Sequence, residues 1–207
     1  MKKEYVVAIL FFSGIWGISE TIVGGALYKA NIPYASVPLT VIAFITLAFA
    51  QVHLPQKGTA TLIAALAMLY KFMNTPFFAC HLLGILLTGI CFDVFFSVFK
   101  LKNKSLSAAG AAYLSYITFA LMITYLFRYE YWAQAGLPKV INYIAVGGTA
   151  AALCCAVLVP LSLHFAQKLR ANYAAPFNLP MRLSVRAIPV ASALIWVFGV
   201  VVFFSKI

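Results

Sequence analysis

The chain has 207 residues, of which 64% are hydrophobic and 9% charged, with a mean hydropathy of +0.99. An ordinary soluble domain carries about 25% charged residues, so this composition excludes a water-soluble domain of useful size. The net charge of +11 does not point to a nucleic-acid partner, because Lys and Arg fall in breaks between apolar stretches and form no basic face.

A membrane-spanning helix needs about 20 apolar residues. The predicted spans are residues 5–28, 34–54, 58–73, 77–99, 107–127, 141–167 and 184–204. Met1-Lys2-Lys3-Glu4 resembles the start of a signal peptide, but the apolar run after it is too long and no A-x-A cleavage site follows. It is read as a retained first span. The third stretch is short and ends in Lys71. The expected fold is an all-α integral membrane protein, a bundle of six to seven transmembrane helices forming a single transmembrane domain over residues 1–207. Proline and glycine in the breaks, as at Asn31-Ile32-Pro33 and Leu54-Pro55-Gln56-Lys57-Gly58, end helices.

The first span has two faces. At about 100° per residue, Ser13, Gly14, Gly17, Glu20, Thr21, Gly24, Gly25 and Tyr28 fall on one side. Trp16, Ile15, Ile18, Ile22 and other bulky residues fill the rest, which is read as the lipid face. Small residues let two helices pack closely in lipid. An intramembrane carboxylate such as Glu20 must face protein or water. It either bonds a neighbouring helix or binds a cation, a proton or a polar ligand atom.

Orientation follows from Lys and Arg in short loops. With a cytoplasmic N-terminus and seven spans, Lys2, Lys3, Lys57, Lys100, Lys102, Lys104, Lys168, Arg170, Arg182 and Arg186 lie inside. Lys29, Lys71, Arg128, Lys139 and Lys206 lie outside. The outer loops then gather aromatic and polar residues. Such a rim is either an interfacial belt or the wall of a small-molecule pocket. On the second reading the substrate-binding residues are Tyr28, Asn74, Phe78, Cys80, His81, Arg128, Tyr131 and Trp132.

Cys80 and His81 are both able to ligate a soft or borderline metal, although adjacent helical positions diverge by about 100°. A buried cysteine is commonly just a small apolar residue. Asp93 is expected to play a structural part near Lys100 or Lys102. No HExxH, GxSxG or P-loop pattern occurs, and four acidic residues leave little material for acid–base chemistry. The chain is therefore read as a non-enzyme with no intrinsic cofactor, unable to power transport with ATP by itself.

The small-residue first helix, the six or seven spans and the clustering of loops one, three and five resemble the substrate-binding S component of energy-coupling factor (ECF) transporters. The segment Gly14-Ile15-Trp16-Gly17-Ile18-Ser19-Glu20 looks like the first helix of bacterial S-component-like proteins. The family's alanine motif is replaced here by Ser13, Gly17, Thr21 and Gly25. The resemblance implies a bacterial inner-membrane protein that captures a vitamin, a vitamin precursor or a metal-containing cofactor. It implies a transmembrane coupling subunit and cytoplasmic ATPases as partners. The partner-helix surface would be Ser13, Gly17, Glu20, Thr21 and Gly25. Some cobalamin-binding members place a cysteine on cobalt, which makes Cys80 the residue to test for that ligand. Competing readings are a stand-alone proton- or cation-coupled carrier using Glu20, and an accessory membrane protein with no substrate.

Overall fold

The computed structural model describes residues 3–73, 79–100, 102–173 and 180–204. Of the described residues 90% are helical, and none lies in a strand. In chain order the helices are α1 (Lys3–Lys29), α2 (Ser36–His53), α3 (Thr59–Ala67), α4 (Ala79–Asp93), α5 (Lys104–Leu121), α6 (Glu130–Asn142), α7 (Thr149–Tyr173) and α8 (Pro180–Phe204). A 3-10 segment, Met68–Met73, continues α3. Wider π-helical segments follow α4 (Val94–Phe99), α5 (Met122–Leu126) and α6 (Tyr143–Gly148).

Helix occupies most of the described part of every predicted span, but among the described residues five stretches are long and apolar enough to cross a membrane. These are Glu4–Lys29, Ser36–His53, Cys80–Phe99, Lys104–Leu126 and Glu130–Ala171. Thr59–Phe72 and Ala187–Val201 are apolar but shorter. The third predicted span is short because its start and end are both fixed. Gly58 precedes α3 in a left-handed turn (φ 82°), a conformation glycine adopts without steric cost. The far end tightens into the 3-10 segment.

The sixth span is longer than its apolar run suggests. Gly136 (φ 62°, ψ −160°) divides α6 into a short first piece and a second piece that continues through the π-helical segment into α7. Pro138 sits in the first turn of that second piece, where a missing N–H costs nothing.

Small side chains close the core. Ala43 and Ala48 of α2, Ala60 and Ala64 of α3, Ala108, Ala111 and Ala112 of α5, and Ala166 of α7 are buried together around Phe44, Leu47, Phe92 and Val159. α3 and α4 approach closely. A Cβ added at Gly89 would collide with the Ala64 Cβ and lie 2.7 Å from the Ala60 carbonyl oxygen. Asp93 secures the same pair of helices. Its Oδ2 accepts from the Thr61 N–H and hydroxyl, both at 2.7 Å, and its Oδ1 accepts from Ser97 at 3.2 Å. A carboxylate against unpaired N–H groups stabilises a helix start, so Asp93 anchors α3. Its hydrogen bonds run to Thr61 and Ser97, where the sequence pointed to Lys100 or Lys102.

The two-faced reading of α1 needs revision. Trp16, placed on the lipid face from the sequence, is 1% exposed, and Ile9 is 2% exposed. α1 packs against α2, α3 and α8, so it is covered on several sides. Ile22 does remain exposed. α8 is tied to α1 by the Trp196 Nε1–H, which donates to the Leu10 carbonyl at 3.1 Å.

Candidate functional site

A cavity of about 1050 Å³ opens at the end of the bundle where α1 ends and α2 begins. The chain direction brings six elements to that end: the last turns of α1, the start of α2, the 3-10 segment, the start of α4, the last turns of α5 and the segment from Tyr129 to Tyr143. Its volume lies just above the usual range of small-molecule sites, about 300–1,000 Å³.

Aromatic rings form a large part of the wall. Tyr28 stacks on His81 with ring centroids 5.1 Å apart. Tyr116 stacks on Tyr143 at 4.8 Å, and Trp132 meets Phe119 and Tyr143 edge-on at 5.5 and 5.1 Å. The π-helical turn after α6 contributes to this crowding. Its Gly147 and Gly148 face Tyr116 and Tyr113, where side chains would press on the α5 rings. Polar groups punctuate the rings. The Tyr116 hydroxyl donates to Ser36 Oγ at 3.1 Å, and the Tyr34 hydroxyl donates to Asn142 Oδ1 at 2.8 Å. Tyr34 holds a left-handed backbone (φ 55°), which is uncommon for a bulky residue. The Lys139 ammonium lies 3.0 Å from the centre of the Tyr131 ring.

One charged pair lies in the wall. Lys71 Nζ is 2.9 Å from Glu20 Oε2 and donates to the Glu20 carbonyl oxygen at 2.9 Å. Lys71 is 3% exposed and Glu20 7%. The Trp16 Nε1–H makes a long bond, 3.4 Å, to the other Glu20 oxygen. Both members of the pair line the cavity.

The small face of α1 explains how this pair forms. A Cβ on Gly17 would collide with the ring of Tyr70, and one on Gly14 would lie 3.4 Å from the Tyr70 hydroxyl and collide with Ile195. Tyr70, fully buried, fills the groove that the missing side chains leave. Thr21 Oγ1 bridges the Gly17 carbonyl at 3.0 Å and the Tyr70 carbonyl at 3.2 Å. Residue 70 is thereby held against α1, and residue 71 reaches Glu20. Of the surface assigned to a partner helix, Ser13, Gly17 and Glu20 are buried within the chain. Thr21 is bonded to it, and a Cβ added at Gly25 would meet nothing within 4 Å. At Gly14 and Gly17 the close packing inferred from glycine is present, with Ile195 and Tyr70 of the same chain as the neighbours.

Of the binding residues proposed from sequence, Tyr28, Cys80, His81, Tyr131 and Trp132 line the cavity. Asn74 and Phe78 lie outside the described residues. Arg128 does not line the cavity. It is exposed, with φ 48°, at the bend where the Tyr129 N–H returns to the Ile123 carbonyl. Placing Lys71 on the outer rim misses its part as the partner of Glu20. The signal is in the sequence: a lysine ending an apolar stretch is, like Glu20, an ionisable group that needs a partner in lipid. Tyr116 and Tyr143 carry no such signal, because tyrosines spaced through apolar stretches look like ordinary packing.

Among the described residues no group of three or more His, Cys, Asp and Glu side chains is placed to hold a metal ion. A metal-centred ligand that brings most of its own donors would need only one side chain, and Cys80 and His81 both reach the cavity. No family model, curated protein or solved structure matches this chain.

Proposed function

We propose that this protein is a membrane-embedded substrate-binding subunit for uptake of a small molecule. The observation that carries the reading is the cavity of about 1050 Å³ at one end of the bundle, walled by aromatic rings with convergent hydroxyl, amide and charged groups. That combination suits an organic ligand with a flat apolar body and a few polar atoms. The resemblance to ECF S components extends the proposal. The ligand is a vitamin, a vitamin precursor or a metal-containing cofactor, with cobalamin a case to test at Cys80. A separate coupling subunit and cytoplasmic ATPases drive release. The host membrane is a bacterial inner membrane, crossed six or seven times, with the N-terminus cytoplasmic and the cavity facing outward. The distribution of Lys and Arg supports that orientation.

Stand-alone carriage is the second reading, favoured by one observation. A buried Glu20–Lys71 pair in a cavity wall is the kind of intramembrane ionisable element that marks ion and proton pathways. Purified protein in liposomes separates the two. A capture subunit binds its ligand and does not accumulate it until coupling subunit and ATPases are added. A carrier accumulates ligand under an imposed proton gradient with no partner. Identification of the ligand comes first, by mass spectrometry of small molecules retained through purification. An outward-facing pocket also requires a cysteine at position 131 to react with an impermeant reagent in intact cells and one at position 103 to stay protected.

A further inference from the structure

We infer that the Glu20–Lys71 pair is the specificity element of the cavity and reads the uncharged –NH–C=O edge of a planar cyclic amide or ureide. This inference rests on the small-molecule reading of the cavity and deepens it.

The bonding inventory leads to that class. An ammonium has three N–H donors. Lys71 directs two bonds to Glu20, one to Oε2 and one to the main-chain carbonyl. The third N–H has no partner among the described residues. Glu20 Oε1 receives only the long Trp16 contact of 3.4 Å, so it retains acceptor capacity. The wall therefore offers one unused donor beside one under-used acceptor. A ligand with a donor and an acceptor side by side satisfies both, its N–H on Glu20 Oε1 and its C=O on Lys71.

Charge narrows the class further. Glu20 and Lys71 neutralise one another at 2.9 Å. A ligand carboxylate or ammonium at this depth would compete with one member and leave the other without its counter-charge, which is costly in a buried site. An uncharged edge adds bonds and leaves the pair intact. The rings flanking the cavity, including Trp16, Tyr28 and His81, favour a flat body on that edge.

The test uses full-length protein in detergent and three probes: quinazolin-4-one, its N3-methyl derivative and quinazoline. All are uncharged and flat. The first has the N–H and C=O side by side, the second has lost the N–H, and the third has lost both. Binding is read by tryptophan fluorescence and by ligand-observed NMR. The expected result is a preference of about tenfold or more for the parent lactam over its N-methyl form, the discrimination of roughly 1.4 kcal/mol that a single buried hydrogen bond supports. A Glu20→Leu/Lys71→Met double variant removes both charges together, so neither is stranded. It should elute as a folded species, bind all three probes and lose the preference. Equal affinities of wild-type protein for the three probes would overturn the inference and leave the cavity reading standing. A preference that survives in the double variant would likewise overturn it. No binding of any probe up to millimolar concentration would count against the cavity reading itself, and the inference with it.

Discussion

The two ends of the bundle are built from different residues, and the difference separates what folds the chain from what it does. Around Phe44 and Phe92 the helix contacts are alanine and glycine, so backbones close to within a side chain of each other. At the other end Tyr28, Tyr116, Phe119, Trp132 and Tyr143 hold the helices apart and leave a cavity. Lipid tails are as apolar as leucine, so close packing and polar bonds, and no hydrophobic drive, hold helices together in a membrane. The alanine-rich region supplies the first. The cavity end relies on a few specific polar ties, chiefly Glu20–Lys71, Thr21–Tyr70 and Tyr116–Ser36.

Breaking the tightly packed region should have the largest effect. Gly89→Leu drives a side chain into the Ala60 and Ala64 backbone turn of α3. A destabilisation at or above the usual overpacking range, about 1–3 kcal/mol, is expected because backbone cannot move aside as a side chain can. Size-exclusion profiles in detergent check this. A monodisperse Gly89→Leu protein with wild-type thermal stability would contradict the α3–α4 contact.

At the cavity end, Glu20→Leu alone strands the buried Lys71 ammonium, and about 3–5 kcal/mol should be lost. Restoring neutrality with Lys71→Met in the same chain should recover most of it. The measure is thermal or denaturant unfolding of the single and double variants. Equal destabilisation by the two would mean that the pair does not hold the fold together at this site. Gly17→Leu belongs to the same comparison. It should displace Tyr70 and lower stability in the isolated protein, because the groove is filled from within the chain.

Much of the first level is legible in the sequence. Apolar stretches and proline breaks place helix in all seven predicted spans, and the acid in the first span draws attention to Glu20. The described residues of the loops after the first, third and fifth spans, such as Ile32, Lys71 and Trp132, do meet at one end. What the sequence does not supply is pairing between helices. The bulky side of α1 reads as a lipid face, yet Trp16 is buried, because three helices surround α1 and not one. Lys71 and Glu20 are far apart in sequence, and only the path of the 3-10 segment over Gly17 joins them. Arg128 looks like a rim anchor by loop position, but the left-handed turn there directs the chain elsewhere. Hydrophobic pattern reports which residues avoid water. It does not report which of several apolar neighbours they meet.

Smaller effects should follow at the edge of the cavity. Trp132→Ala removes an edge-on partner of Phe119 and Tyr143 and should weaken ligand binding by about 1 kcal/mol or more if Trp132 anchors the ligand. Calorimetry with the identified ligand reads this directly. Arg128→Gly should change least. Glycine tolerates φ 48° better than arginine, so stability should hold or rise slightly, within about 0.5–1 kcal/mol, with binding unchanged. A large loss of affinity in Arg128→Gly would return that residue to the site.

The most direct measurement compares the molecules retained by wild-type protein and by a Gly84→Phe variant. Gly84 lines the cavity, and an added Cβ there meets only the edge of Phe119 at 3.6 Å, so a phenylalanine has open space to occupy. Both proteins are purified in the same detergent and their extracted small molecules are identified by mass spectrometry. Wild-type protein should carry a stoichiometric organic ligand that quenches tryptophan fluorescence on rebinding, and the filled variant should be folded and bare. The same ligand at the same occupancy in both proteins, or none in the wild type, would contradict the claim that this cavity is a binding site.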